Sequence, residues 1–586
     1  MSKRTFEQAG TRLFLVLLLL AAPALAAAAE STPKTGKAAI ASAHKLATEA
    51  GFEVIAQGGN AFDAAIAVAA ALSVVEPHSS GIGGGGFFLL HRASDGKDTM
   101  IDARETAPAA VDPKKYLDAQ GKLDADKARN GPLAAAIPGE PAGLVWLAQH
   151  YGKLPLAKSF APAIRIAREG FQPDDRFLEG IAARIDVIKR YPGSAALYLD
   201  NGAAPKAGWV FKNPDIAATF ELIAAKGNEG FYHGEFAKRL VDGINAAGGN
   251  WSLKDLADYQ VKERTPLTID YRGWRIVTAP PPSSGGIALA EMLNILGGYD
   301  LAKLDRVHRL HLIIESMRRA YRDRATYLGD PDYVKIPVAQ MLSQSYASAW
   351  RNSIRNDEAT PSSELKRPEG FLPPPPTMGQ VRHESTQTTH FSVIDPEGNA
   401  VAMTYTLNNG FGSGVTAEGL GFLLNDEMDD FASKQGSPNM FGLIQGPADS
   451  IAPGKRPLSS MTPTIVLENS PDNDPKKAKV RYVLGSPGGS RIITTVANVF
   501  LSAADEGLNI QQAVDAPRFH MQYQPDVVYL EDGFPETTMN RLRSMGYTLK
   551  VGGHWSDAEC IAVDPVTGDL LGGHDKRHNF GKAAGF

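Results

Sequence analysis

Residues 388–408 read TTHFSVIDPEGNAVAMTYTLN. At the centre, Asp395-Pro396-Glu397-Gly398-Asn399 is a turn signal. Pro pre-sets φ for the first central position of a type I turn, and Gly supplies the left-handed residue that closes it with a bulge. The result is a three-residue loop, with Asp395 opposite Asn399 and the flanking strands paired symmetrically about Glu397. Hydrophobicity gives the same register independently. Phe391, Val393, Val401, Met403, Tyr405 and Leu407 are all odd-numbered, and this pairing sets odd residues opposite odd ones on a single apolar face. Thr388 then lies opposite Thr406, with β-carbons roughly 4.5–5.5 Å apart. Asn408 comes next on that polar face, and His390 pairs with Thr404 further in. A two-residue turn would oppose Thr388 to Leu407 and break the arrangement.

Taken alone, the hairpin is equally well explained by the preference of threonine for strands, with the polar face turned to solvent. The residues upstream shift the balance. From 358 to 384 the chain loses its pattern, and PEGFLPPPPTMGQVRHES (368–385) carries four consecutive prolines, so the stretch reads as an exposed linker. A break in the chain just before a threonine creates a free α-amine beside a hydroxyl, and that amine can serve as the base for its own oxygen. Thr388 fits this role better than Thr389, whose side chain falls on the apolar face.

The chain has 586 residues, of which 43% are hydrophobic and 21% charged, the composition of an ordinary globular protein with ample core. Length alone would suggest three or four domains. A formal charge of −5 gives no electrostatic case for nucleic acid. Lys3, Arg4 and Arg12 precede an apolar run from Leu13, and Ala24-Leu25-Ala26 offers a small-x-small cleavage site. Residues 1–26 therefore read as a signal peptide that is removed, and the mature protein is expected to be exported, periplasmic in a Gram-negative cell or secreted. Cys560 is the sole cysteine. It excludes an internal disulfide, and its setting, DAECIAVDP, reads as a buried strand.

Residues 44–75 read helical, with a break at Gly58-Gly59, and further helices are expected over 142–150, 156–169 and 214–225. FFLLHR after the GIGGGG run is a strand, and GWRIVTAPPPSSGGIALAEMLNILGGY is a strand, a turn and a helix. The last two hundred or so residues are strand-rich. The fold class is mixed α and β, and no repeat of fixed period is visible.

Together these stretches resemble the γ-glutamyltransferases, or glutathione hydrolases. The likeness runs through GGNAFDAAIA, GIGGGGFFLL, IDARETAP, ERTPLTIDYRGWRI, PPPSSGG, YLGDPDYVKIP, QTTHFSVID, MTYTLNNGFGSG, LLNDEMDDF, KRPLSSMTPTIV and GSPGGSRIITT, nearly the whole mature chain. The resemblance implies a four-layer αββα sandwich of the N-terminal nucleophile (Ntn) hydrolase type, which replaces the several domains that length suggests. It implies a zymogen that cuts itself between Gln387 and Thr388. A large subunit (27–387) and a small subunit (388–586) would then stay interleaved in one compact unit. Thr388 would attack the γ-amide of glutathione or another γ-glutamyl compound, with water or an amino acid or dipeptide as acceptor and no cofactor or metal. Arg104 matches the family's carboxylate-binding arginine, where a planar guanidinium suits bidentate capture. Ser459 and Ser460 would donate to the same carboxylate. Asn408, Glu427 and Asp430 match the ammonium-binding group, Gly488 and Gly489 would present N–H groups to the oxyanion, and Thr406 would orient the nucleophile. The stretch 433–455 resembles a lid loop, with Phe441 where a bacterial member has a gating tyrosine. Glu427 is an acid where other members carry glutamine.

Other signals carry less. Gly81-x-Gly83-x-x-Gly86 has the spacing of a dinucleotide fingerprint, but a helix precedes it and a strand follows, the reverse of the required order. NDEMDD has no histidine at ligand spacing. Ser413 lacks the pattern of a nucleophile elbow, and His78 reads as a packed loop histidine. Two rivals remain. One is a β-lactam acylase of the same fold, acting on a glutaryl-like group that lacks an α-ammonium. The other is an inactive exported binding protein.

Overall fold

The computed structural model describes residues 34–373, 387–432, 446–469, 474, 478–578 and 580–585. The expected signal peptide and Phe441 lie outside the described residues. Among the described residues no helix is long and apolar enough to cross a membrane.

The helix Ala61–Val75, AFDAAIAVAAALSVV, is buried along its whole length. A helix apolar on every side belongs inside a protein, and its alanines let neighbours approach closely. Asn60 starts it with a reciprocal capping box to Asp63, which satisfies two otherwise orphaned backbone donors. Ile66, Val68 and Leu72 pack in one cluster with Phe391, Val393, Met403 and Tyr405. These are the odd-numbered residues of the hairpin, so its apolar face meets this helical layer.

Two antiparallel seven-stranded sheets form the middle of the molecule. In spatial order the first contains Lys582–Gly585, Ala39–Ser42, Thr389–Ile394, Ala400–Thr406, Gly85–Arg92, Lys97–Ala103 and Lys262–Arg264. The second contains Lys34–Gly36, Leu570–His574, Glu559–Val563, Lys479–Leu484, Thr464–Glu468, Trp274–Thr278 and Leu267–Tyr271. Phe87, Leu89, Ile465, Val483 and Ile561 fill the space between the sheets. On the far side of the second sheet, Leu289, Leu293, Ile314, Met317, Ile493 and Val496 pack against Ile276 and Val466. The order helix, sheet, sheet, helix is the αββα sandwich. Strands from before and after Thr388 are neighbours in both sheets.

The hairpin forms in the expected register. Thr389 pairs with Tyr405, His390 with Thr404 and Ile394 with Ala400. The Asp395 N–H donates to the Asn399 carbonyl at 3.1 Å, and Gly398 closes the turn at φ +87°. Its even-numbered face does not meet solvent. His390 is fully buried against the second sheet, bonded through Nδ1 to Thr404 Oγ1 at 2.8 Å and through Nε2 to Ser392 Oγ at 3.2 Å. Burial pushes the His390 pKa down to about 3, so it sits beneath Thr388 as a neutral imidazole.

Two glycines of the GIGGGG run are required by backbone carbonyls packed against them. A β-carbon on Gly84 would lie 1.9 Å from the Thr406 carbonyl oxygen, and one on Gly83 would lie 1.8 Å from that of Leu423. The expected linker differs from the structure in its first half. The Thr360 N–H donates to Glu315 at 3.2 Å, the Ser362 N–H donates to Asp526 at 2.6 Å, and Leu365 and Leu372 are buried beside Trp350. Four anchors spread over thirteen residues fix that half, which composition alone does not reveal. Residues 374–386 lie outside the described residues.

Candidate active site

Thr388 sits at the open end of the hairpin, 3% exposed. Its hydroxyl lies 3.0 Å from Thr406 Oγ1 and in hydrogen-bond contact with the carbonyl oxygen of Gln387, the residue just before it. Thr406 Oγ1 accepts the Asn408 N–H at 2.8 Å and lies 3.4 Å from the same Gln387 carbonyl. A hydroxyl has one proton and two acceptor positions. With one lone pair occupied by Asn408, the Thr406 proton remains available to either oxygen. Asn408 reaches that position with φ +75°, a left-handed conformation that asparagine tolerates better than most side chains. Its Nδ2 donates to the Asp426 carbonyl at 3.0 Å, which leaves its amide oxygen as the acceptor.

These residues border a narrow cleft whose lining includes Arg104, Arg324, Thr388, Asp430, Ser460 and Gly489. Arg104 follows the strand Lys97–Ala103 and is 1% exposed. Its Nη1 lies 2.7 Å from Glu427 and its Nη2 2.6 Å from Asp430, both in the short turn Glu427–Asp430. Its Nε donates to the Pro457 carbonyl at 3.3 Å. Burial opposes the Arg104 charge, but Glu427, Glu105 and Asp430 outweigh it and hold its pKa above the usual arginine value. Burial drives the Glu427 carboxyl well up, and Arg104 offsets only part of that shift. Glu427 stands behind Arg104, while Asp430 reaches the cleft itself.

The RPLSSM segment, which meets Arg104 at Pro457 and Leu458, also lines the cleft and is held by the PPPSSGG turn. The Ser284 N–H and hydroxyl donate to the Ser459 carbonyl at 2.7 and 2.6 Å, and the Ser459 N–H donates to the Pro282 carbonyl at 3.0 Å. Ser459 and Ser460 both line the cleft, as does Gly489. Gly488, with φ +127°, lies one residue back, where a β-carbon would meet Ser556 Oγ at 2.1 Å. Both glycines precede the helix Arg491–Ala504, whose N-terminal end favours negative charge.

Arg324 is absent from the sequence expectations. It lies in the helix Arg306–Tyr327, donates from Nη2 to Ser460 Oγ at 3.0 Å and from Nε to Ser284 Oγ at 2.8 Å, and is 2% exposed. Burial lowers its pKa. The signal was present in RRAYRDR, a cluster of arginines inside an otherwise buried helix, where ordinary surface arginines would lie on one solvated stripe. The remaining expected residues converge on the cleft or on Arg104, apart from Gly488, one residue back from it, Gln387, which precedes Thr388, and Phe441, outside the described residues.

The architecture is that of the N-terminal nucleophile hydrolases, a four-layer sandwich with a strand-initial hydroxyl at its cleft. Residues 47–585 match the model of the gamma-glutamyltranspeptidase family, and the chain belongs to that family. It is 40% identical over 550 residues to the glutathione hydrolase proenzyme of Escherichia coli K12, covering 93% of this chain and 91% of that one. It is 42% identical over 562 residues to the protein of the same name from Pseudomonas sp. A14, covering 93% and 94%. Among solved structures it is similar to the cephalosporin acylase from Bacillus halodurans, with a TM-score of 0.81, 29% identity, and coverage of 97% and 98%.

Proposed function

We propose that the chain is a self-cleaving γ-glutamyltransferase and glutathione hydrolase whose nucleophile is Thr388. One observation carries the reading: the Thr388 hydroxyl touches both the Gln387 carbonyl and the Thr406 hydroxyl at the edge of a cleft that holds Arg104 and Asp430. In maturation Thr388 Oγ adds to the Gln387 carbonyl carbon, the Gln387–Thr388 C–N bond breaks, and the hydroxyl proton passes to the Thr388 nitrogen. Water then hydrolyses the ester, leaving a carboxylate on Gln387 and a free amine and hydroxyl on Thr388. Residues 27–387 and 388–586 become the large and small subunits of one unit.

In turnover the same oxygen adds to the γ-amide carbonyl of glutathione, with the freed α-amine taking the hydroxyl proton. Thr406 orients the oxygen, and the N–H groups of Gly488 and Gly489 receive the oxyanion, each such donor contributing about 2.7–4 kcal/mol. The C–N bond breaks, cysteinylglycine leaves with the proton, and a γ-glutamyl ester remains on Thr388. Water resolves it by hydrolysis, and an amino acid or dipeptide amine resolves it by transfer.

The charges of the cleft match a zwitterion. In the free site Arg104 holds Glu427 and Asp430. An α-carboxylate that takes the guanidinium, with donors from Ser459 and Ser460, releases acidic oxygens for the α-ammonium beside it, together with the Asn408 amide oxygen. A glutaryl group has no ammonium to offer to Asp430 and the Asn408 amide oxygen, which both line the cleft, so it would make fewer polar contacts there. That argues against the acylase reading despite the structural likeness. The proposed mature protein is exported after loss of residues 1–26. Comparing γ-glutamyl and glutaryl anilides tests the assignment: faster release from the γ-glutamyl compound supports it, and preference for the glutaryl compound overturns it.

A further inference from the structure

Behind the scissile peptide lies a second, narrow pocket, lined by His44, Glu76, His78, Arg176, Asp557 and His578 among others. Its lining shares no residue with the cleft that holds Arg104, and the chemistry proposed above makes no use of it. The Gln387 side chain is held at its edge. Gln387 Oε1 accepts from Arg176 Nη2 at 3.2 Å and from Ser79 Oγ at 3.1 Å.

Both donors are themselves fixed. Arg176, in the helix Asp175–Ile188, places Nη1 3.0 Å from Asp557 Oδ2 and 3.5 Å from Glu76 Oε1. His578 Nδ1 contacts the other Asp557 oxygen. The Ser79 N–H donates to the Glu76 carbonyl at 3.0 Å, and the Ser79 carbonyl accepts the Leu407 N–H at 3.3 Å. Ser79 is thereby tied to the strand that carries Thr406.

We propose that Arg176 and Ser79 form a clamp on the Gln387 side-chain amide, specific to the uncleaved chain, that sets the Gln387 carbonyl in front of the Thr388 hydroxyl. The clamp rests on the self-cleavage reading and deepens it. It holds the acyl side of the bond that breaks, so Arg176 and Ser79 are positioning residues for maturation. Gln387 is the specificity determinant at that position. An amide oxygen two methylenes from the backbone reaches both donors. A shorter side chain falls short, and a carboxylate would add negative charge beside Glu76 and Asp557. Fixing the electrophile against a fixed nucleophile is the orientation effect that makes intramolecular acyl transfer fast.

The test is a time course of fragment formation by the full chain in cell-free synthesis, read on a denaturing gel. Wild type is compared with Gln387→Ala, Ser79→Ala, Arg176→Ala and the Gln387→Ala/Arg176→Ala pair. Loss of a hydrogen bond to a charged donor should slow processing roughly ten- to a hundredfold in Gln387→Ala. The double variant should be no slower than Gln387→Ala, because both changes remove one contact. Once cleaved, Gln387→Ala should show the kcat and KM of wild type. Arg176→Ala leaves Asp557 and Glu76 short of a cation, and if it does not fold, Gln387→Ala and Ser79→Ala carry the test. Processing of Gln387→Ala within twofold of wild type, or additive slowing in the double variant, overturns the clamp. Failure of wild type to cut at all would overturn the self-cleavage reading instead.

Discussion

Replacing Thr406 by valine keeps the side-chain shape and removes one oxygen. That oxygen lies 3.0 Å from Thr388 Oγ1 and accepts the Asn408 N–H at 2.8 Å, in a residue 4% exposed. Two losses follow. The Asn408 N–H is left without its partner in a buried setting, which costs about 1–3 kcal/mol of stability. The nucleophile loses a hydrogen bond to an oxygen that changes charge during the reaction, about 1.5–3 kcal/mol of transition-state stabilisation, or roughly ten- to a hundredfold in rate. Both self-cleavage and turnover should slow by that factor, since the same oxygen acts in each. The assay is fragment formation on a denaturing gel, followed by release of p-nitroaniline from the γ-glutamyl anilide, normalised to cleaved protein. Thr406→Ser, which keeps the hydroxyl, should stay much nearer wild type in both. A valine variant within twofold of wild type in both steps would refute the role given to this pairing.

Arg104→Lys should raise KM for γ-glutamyl substrates about tenfold or more, measured by initial rates. A single ammonium cannot reproduce contacts made from three guanidinium nitrogens. Gly84→Ala should lower the thermal midpoint and impair processing, because its β-carbon would lie 1.9 Å from the Thr406 carbonyl. Overpacking of this kind costs about 1–3 kcal/mol, readable by calorimetry on the full chain. Cys560 is buried, and its thiol is pushed up to about 12 by burial. Thiolate is the reactive form, so the folded protein should resist alkylation at pH 8 and react once unfolded, as mass spectrometry would show.

The hairpin was legible because its information is local. Five turn residues fix the register, and the parity of Phe391, Val393, Met403 and Tyr405 confirms it. The buried helix Ala61–Val75 and the strand around Cys560 were legible for the same reason, since each is a run of one hydrophobic pattern. Arg324 and Arg176 were not, because each acts through residues more than a hundred positions away, Ser460 in one case and Gln387 in the other. The glycines of GIGGGG could be denied a nucleotide from element order, but their purpose appears only when Gly84 is seen against Thr406. The order in residues 358–373 is not legible in the sequence because Thr360, Ser362, Leu365 and Leu372 are too sparse to form a pattern, yet each finds a partner in the folded chain. Membership of the family came from many short stretches together, none of which would have sufficed alone.

In the proposed function, a threonine exposed by chain scission performs the acyl chemistry. N-terminal sequencing of the smaller fragment, with Thr388→Ala run beside wild type, tests it most directly. The expected result is a fragment beginning Thr-Thr-His-Phe, and a Thr388→Ala protein that stays one chain and releases no γ-glutamyl product. Any other starting residue, or a Thr388→Ala protein that is cut or active, would contradict it.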